Sequence, residues 1–325
     1  MRVIFIGTPD FATLPLQAIR EAGHTIPLVV SRPDARRGRG RKAAEPPVKA
    51  YAREVGIDVF QPENINAPES VQRLREAEAD LGVVVAYGAL LSGEVLTTTT
   101  ARGYLNVHAS LLPKYRGAAP VNWAIMRGER ETGVTIQRMT VALDAGPILA
   151  QKRLSIGEEE TAGELHVRLC AEGASLLVSV LERMAAGERI PEHSQGGEPR
   201  SYAPKLSKRD GRLDWSLSAR EICDRVRGLT PWPGACAHFA GASRSEDVTL
   251  LKLMPAPAAT GEGAAAAGEH VPAGTVLGVD RQEGIAVQTG AGAVIIRELK
   301  PACGKAMSGA DFAHGRHVEQ GDQFA

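Results

Sequence analysis

Aromatic residues are scarce in this chain, at 4% of its 325 residues. That argues against an extended platform on which successive bases stack. Neither sign of charge is in excess, with Lys+Arg and Asp+Glu both at 38, so any basic site for a polyanion must be local. Only four cysteines occur, Cys170, Cys223, Cys236 and Cys303, and none forms a C-x-x-C pair. A chain this long needs no disulfide staples, so they read as reduced thiols of a cytoplasmic protein. Long apolar runs are missing too. The most apolar stretch, LGVVVAYGALL (81–91), is too short to span a bilayer. The N-terminal MRVIFIGTPDF lacks the long apolar region and the cleavage site of a signal peptide.

What is there is a folded composition, with 43% hydrophobic and 23% charged residues. The length favours two domains. In the first half, strand-like runs alternate with helical spacing. RVIFIG (2–7), IPLVVS (26–31), DVFQP (58–62), LGVVVAYG (81–88), GYLNVHAS (103–110) and GVTIQRMTV (133–141) read as strands. Residues 9–23, 46–56 and 69–79 read as helices. This alternation predicts an α/β fold with a mostly parallel sheet covered on both faces. From 188 to 206, prolines, paired glycines and mixed charge read as a linker. Beyond it, short alternating runs at 248–254, 274–280, 284–290 and 293–299 predict a small all-β domain, a barrel. The alanine-rich 258–270 reads as a low-complexity loop.

The stretch NVHASLLPKYRGAAP (106–120) carries the chemistry. Residues two apart on a strand point the same way, so Asn106 and His108 share one face. In open parallel sheets, sites form at the carboxyl ends of strands, where this pair falls. Asp144 follows the next strand in a turn set by Gly146 and Pro147. The bland readings are a core histidine and an Asx-turn carboxylate. Together, Asn, His and Asp suit acid/base work and stabilisation of an oxyanion. There is no G-x-S-x-G, so direct transfer between two bound substrates is favoured over an acyl-enzyme. GTPDF (7–11) holds one glycine where a dinucleotide site wants G-x-G-x-x-G, which excludes NAD from this Rossmann-like architecture. HGRH (314–317) has no further ligand at zinc spacing, so no metal is expected. Residues 31–49 hold seven Lys/Arg against two acids, a basic loop near the expected site and suited to a polyanion.

These motifs, with VVVAYG, KLS…DW and PWPG, resemble the folate-dependent formyltransferase family over essentially the whole chain. NVHASLLP followed by LDAG carries the resemblance. The basic loop and the C-terminal region narrow it to the branch acting on initiator methionyl-tRNA. The resemblance implies a Rossmann-like catalytic domain (1–188), a linker (189–206) and an OB-like β-barrel that binds tRNA (207–325). It implies 10-formyltetrahydrofolate as formyl donor and catalytic roles for Asn106, His108 and Asp144. Folate contacts are expected at Ser110, Leu111, Leu112 and Pro113, with Tyr87 and Gly88. Arg39 is the expected tRNA grip, helped by Arg36, Arg37, Arg41, Lys42, Lys205 and Lys208. The chain is expected to act as a monomer. Thr140 departs from the family, which usually has an acid there. An amino sugar or another small amine is the alternative acceptor. A non-enzymatic RNA-binding module would have no use for the Asn, His and Asp set.

Overall fold

The computed structural model describes residues 1–325 except 38–41, 101, 198, 243 and 258–270. The chain divides into two units. One comprises Met1–Pro120, Glu131–Ser155 and Leu165–Pro204; the other comprises Val121–Arg130, Ile156–Glu164 and Lys205–Ala325.

Up to residue 203 the elements are β1 (Val3–Gly7), α1 (Asp10–Glu21), β2 (Val29–Val30), β3 (Ala35–Arg37), β4 (Lys42–Ala44), α2 (Pro47–Glu54), β5 (Val59–Phe60), α3 (Pro68–Glu76), β6 (Leu81–Val85), α4 (Gly93–Leu96), β7 (Tyr104–His108), β8 (Arg116–Gly117), α5 (Pro120–Met126), β9 (Glu131–Arg138), β10 (Ile148–Ser155), α6 (Ala162–Ala185) and β11 (Tyr202–Ala203). The seven-stranded sheet runs β10-β9-β7-β6-β1-β2-β5. From β5 to β7 the pairings are parallel, whereas β7–β9 and β9–β10 are antiparallel.

The central strands β1 and β6 are buried along their whole length, as apolar runs covered on both faces must be. Gly82 interrupts β6 for a steric reason. A Cβ there would lie 2.0 Å from the ring of Tyr104, its partner on β7. The Tyr104 hydroxyl meets Thr98 Oγ1 at 2.7 Å, and burial pushes the phenol up to about 12. In α1, Phe11, Ala12, Pro15, Leu16 and Ile19 form the buried stripe.

The expected strands and helices of the first half are present as β1, β2, β5, β6, β7 and β9, and as α1, α2 and α3. Residues 142–187 carry β10 and α6, neither of them expected from the sequence. β10 is an edge strand, largely exposed, and so lacks the apolar run that marks its neighbours. The stretch expected to be a linker is built into the first unit as far as Pro204, and its last two residues belong to the second. His193 and Ile148 exchange backbone hydrogen bonds, and β11 pairs in parallel with β8. Proline and glycine content signals a lack of regular structure, which is not a lack of fixed partners.

In the other unit follow α7 (Ala219–Leu229), β12 (Ala235–Ala240), β13 (Ser245–Pro255), β14 (Val276–Asp280), β15 (Gly284–Gln288), β16 (Ala293–Pro301), β17 (Met307–Ser308), α8 (Gly309–Arg316) and β18 (Gln323–Phe324). The antiparallel sheet runs β14-β15-β16-β13-β12-β18. Its two ends are joined: Val276 N donates to Asp322 O and Phe324 N to Gly274 O, each at 2.8 Å. This closure agrees with the expected barrel, but the unit is not all-β, since α7 and α8 belong to it. Phe239 lies at its centre, with ring contacts to Phe312 and Phe324. Among the described residues no helix is long and apolar enough to cross a membrane.

Candidate active site

Asn106 and His108 stand on β7, both inside the sheet region, with His108 5% exposed. β9 is antiparallel to β7, so its last residues lie beside the start of β7 (Arg138 opposite Leu105). The 139–147 connection then returns Asp144 along β7 to both side chains. Asn106 Nδ2 donates to Asp144 Oδ1 at 3.4 Å, and His108 Nδ1 lies 3.7 Å from Asp144 Oδ2. The three expected catalytic residues are therefore brought together.

Asp144 is in the left-handed region (φ 48), a conformation that Asp tolerates better than most residues. Two further donors fix its carboxylate. Gln137 Nε2 donates to Oδ1 at 3.0 Å and the Gly117 amide to Oδ2 at 2.9 Å. The remaining His108 nitrogen is committed as well, since Nε2 donates to Tyr115 O at 2.9 Å. A carbonyl can only accept, so Nε2 carries a proton, and Nδ1 is the nitrogen whose state is open. The strand face that the two-residue spacing predicts thus brings both side chains to Asp144. One ring nitrogen is held by the loop, the other faces the carboxylate.

The loop after β7 is held by its own bonds and by side chains of β9 and β10. Ser110 Oγ donates to Lys114 O at 2.7 Å, and Thr135 Oγ1 donates to Ser110 O at 2.6 Å. Gln151 Nε2 reaches Leu112 O and Thr135 Oγ1, both at 2.9 Å. Of the expected folate contacts, Ser110, Leu112, Pro113 and Tyr87 are buried, Leu111 is half-buried and Gly88 is exposed. Ser110 is turned inward by its bond to Lys114 O, while Leu112 and Pro113 are buried as apolar groups. Tyr87 packs in the core around Ile4, Val84 and Leu91. Its phenol is raised by burial, against the pull of the Arg32 guanidinium. Thr140, the departure from the family, is exposed and donates to Ala142 O within the Asp144 connection.

The backbones of Arg36, Arg37 and Lys42 lie on the β3–β4 hairpin. Arg39 and Arg41 lie outside the described residues. Lys205 and Lys208 are exposed in the second unit. Gln137, Gly117 and Gln195 were not expected. Gln137 is Asn106's register partner on β9, a signal that exists only once the pairing is known. Among the described residues, no group of three or more His, Cys, Asp and Glu side chains could hold a metal ion.

The formyl transferase family matches residues 1–181, and the formyl transferase C-terminal domain matches 205–317. A methionyl-tRNA formyltransferase of Neisseria meningitidis is 42% identical over 325 residues, covering 100% of both chains. That of Citrifermentans bemidjiense is 41% identical over 321 residues, 99% of this chain and 95% of its own. An N-formyltransferase from Helicobacter canadensis, solved with folinic acid and dTDP-3-aminofucose, has a similar fold, with TM-score 0.64 at 17% identity over 90% of this chain and 98% of that one. With full-length relatives above 40% identity and both formyl transferase domains matched in order, the chain belongs to the methionyl-tRNA formyltransferase family.

Proposed function

We propose that the chain transfers the formyl group of 10-formyltetrahydrofolate to the α-amino group of methionine on initiator methionyl-tRNA, by direct attack. The observation that carries the reading is the convergence of Asn106, His108, Gln137 and the Gly117 amide on the one carboxylate of Asp144. The neutral amine attacks the formyl carbon, and the carbonyl electron pair moves to oxygen. Asn106, whose bond to Asp144 is long at 3.4 Å, turns an amide N–H to that oxyanion. The amine's proton passes to the His108–Asp144 pair, at the Nδ1 edge. Collapse restores the carbonyl and breaks the carbon–N10 bond, and the His108–Asp144 pair passes that proton on to N10.

The donor meets the loop after β7 through its main chain and Leu111, and the turn after β6 through Gly88, since the other side chains expected to touch it are buried. The basic loop with Arg36, Arg37, Arg39, Arg41 and Lys42, together with Lys205 and Lys208, contacts tRNA phosphates and positions the acceptor end without reading bases. Formylation of charged initiator tRNA, compared in wild type, Asn106→Ala and Asp144→Asn, tests the reading. Near-normal turnover in either variant rejects the roles given to these side chains.

A further inference from the structure

Gln195 stands in the stretch that reads as a linker, yet it has four hydrogen-bonding partners around the site. Arg116, only 6% exposed, donates through Nε and Nη2 to Gln195 Oε1 at 3.1 and 2.6 Å. On its other side, Gln195 Nε2 faces Gly146 O at 2.6 Å, Asp144 O at 3.0 Å and Gln137 Oε1 at 3.2 Å. The chemistry of the partners fixes the amide's orientation. A guanidinium can only donate, so Oε1 must face it, and backbone carbonyls can only accept, so Nε2 must face them. Gln137 is oriented by the same logic, because its Nε2 donates to the Asp144 carboxylate. The bonds form a directed chain from the Arg116 cation through two amides to Asp144.

We infer that Gln195 is a positioning residue for Asp144: oriented by Arg116, it clamps the carbonyls at both ends of the 144–146 turn, which Asp144 enters in the left-handed region, and orients Gln137 toward the carboxylate. The stretch that carries it is fixed in place. Tyr115 N donates to Ser201 Oγ and Arg116 N to Ser201 O, both at 2.9 Å. It therefore acts as a strap rather than a tether. This inference rests on the reading of Asp144 as catalytic.

The test uses full-length enzyme with 10-formyltetrahydrofolate and charged initiator tRNA. Gln195→Leu removes both the acceptor and the donor. Gln195→Glu keeps an acceptor for Arg116, removes the donor and adds a negative charge facing the turn carbonyls. Each is expected to lower kcat by roughly ten- to a hundredfold while KM for both substrates moves less than about threefold. Combined with Asp144→Asn, Gln195→Glu should add little further loss, because both act through one carboxylate. Near-normal kcat in Gln195→Glu, or fully multiplicative losses in the double variant, would overturn the proposal. So would loss of the cooperative thermal transition in both single variants, which assigns Gln195 to the fold alone. If Asp144→Asn is inactive while Gln195→Glu is normal, only this inference falls. Normal turnover in Asp144→Asn removes the reading beneath it.

Discussion

Asn106 and Gln137 face each other across antiparallel strands, and their side-chain amides donate to the same oxygen of Asp144. They do different work. Asn106 turns to the formyl oxygen, so Asn106→Ala should lower kcat by at least about 10²-fold, the usual loss for one oxyanion donor. Gln137 only holds the carboxylate, so Gln137→Leu should cost roughly tenfold, within the range for a lost bond to a charged group. Steady-state kcat for both variants checks this. Equal losses would mean that the two amides are not distinguished by substrate.

Gly117 combines two constraints. Its φ is 117°, and a Cβ there would lie 2.7 Å from Ala203 O, while its amide donates to Asp144. Gly117→Ala should destabilise the fold by about 1–3 kcal/mol and also reduce kcat. Thermal unfolding with parallel kinetics tests the coupling. A variant as stable and as active as wild type would contradict the geometry.

Charge contacts with tRNA should show in salt dependence. Arg39→Ala should raise KM for tRNA and leave folate binding unchanged. Replacing Lys205 and Lys208 by alanine should flatten the slope of log K against log salt by about one to two units, since each lost phosphate contact removes roughly one. An unchanged slope would remove these lysines from the interface.

The thiols should divide by burial. Burial pushes Cys170 up to about 11 and Cys223 up to about 12, whereas Cys236 and Cys303 are exposed. The thiolate is the reactive form, so raised values silence the buried pair at neutral pH. A thiol titration should count two fast groups in the native protein and all four cysteines after unfolding. Four fast groups without unfolding would contradict the burial.

The parallel core was legible because its strands are continuous apolar runs bounded by glycine and helical spacing. Asn106 and His108 were legible because a two-residue spacing fixes a shared face. What surrounds them was not. Gln137 becomes a partner only through the β7–β9 register, and Gln195 only because an irregular stretch is bonded along the first unit. Asp144 does lie beside Asn106 and His108, but its route was hidden: β9 runs antiparallel and the chain folds back. The second unit's barrel was readable from alternation. Helix α7 was not, although Ser218 and Glu221 form a capping box at its start.

The most direct measurement is the formation of formylmethionyl-tRNA from 10-formyltetrahydrofolate and charged initiator tRNA, run beside free methionine and a nucleotide-linked amino sugar. The charged tRNA should be formylated, dependent on the folate and with the product lost in Asp144→Asn. Formylation of the amino sugar with none of the tRNA would contradict it.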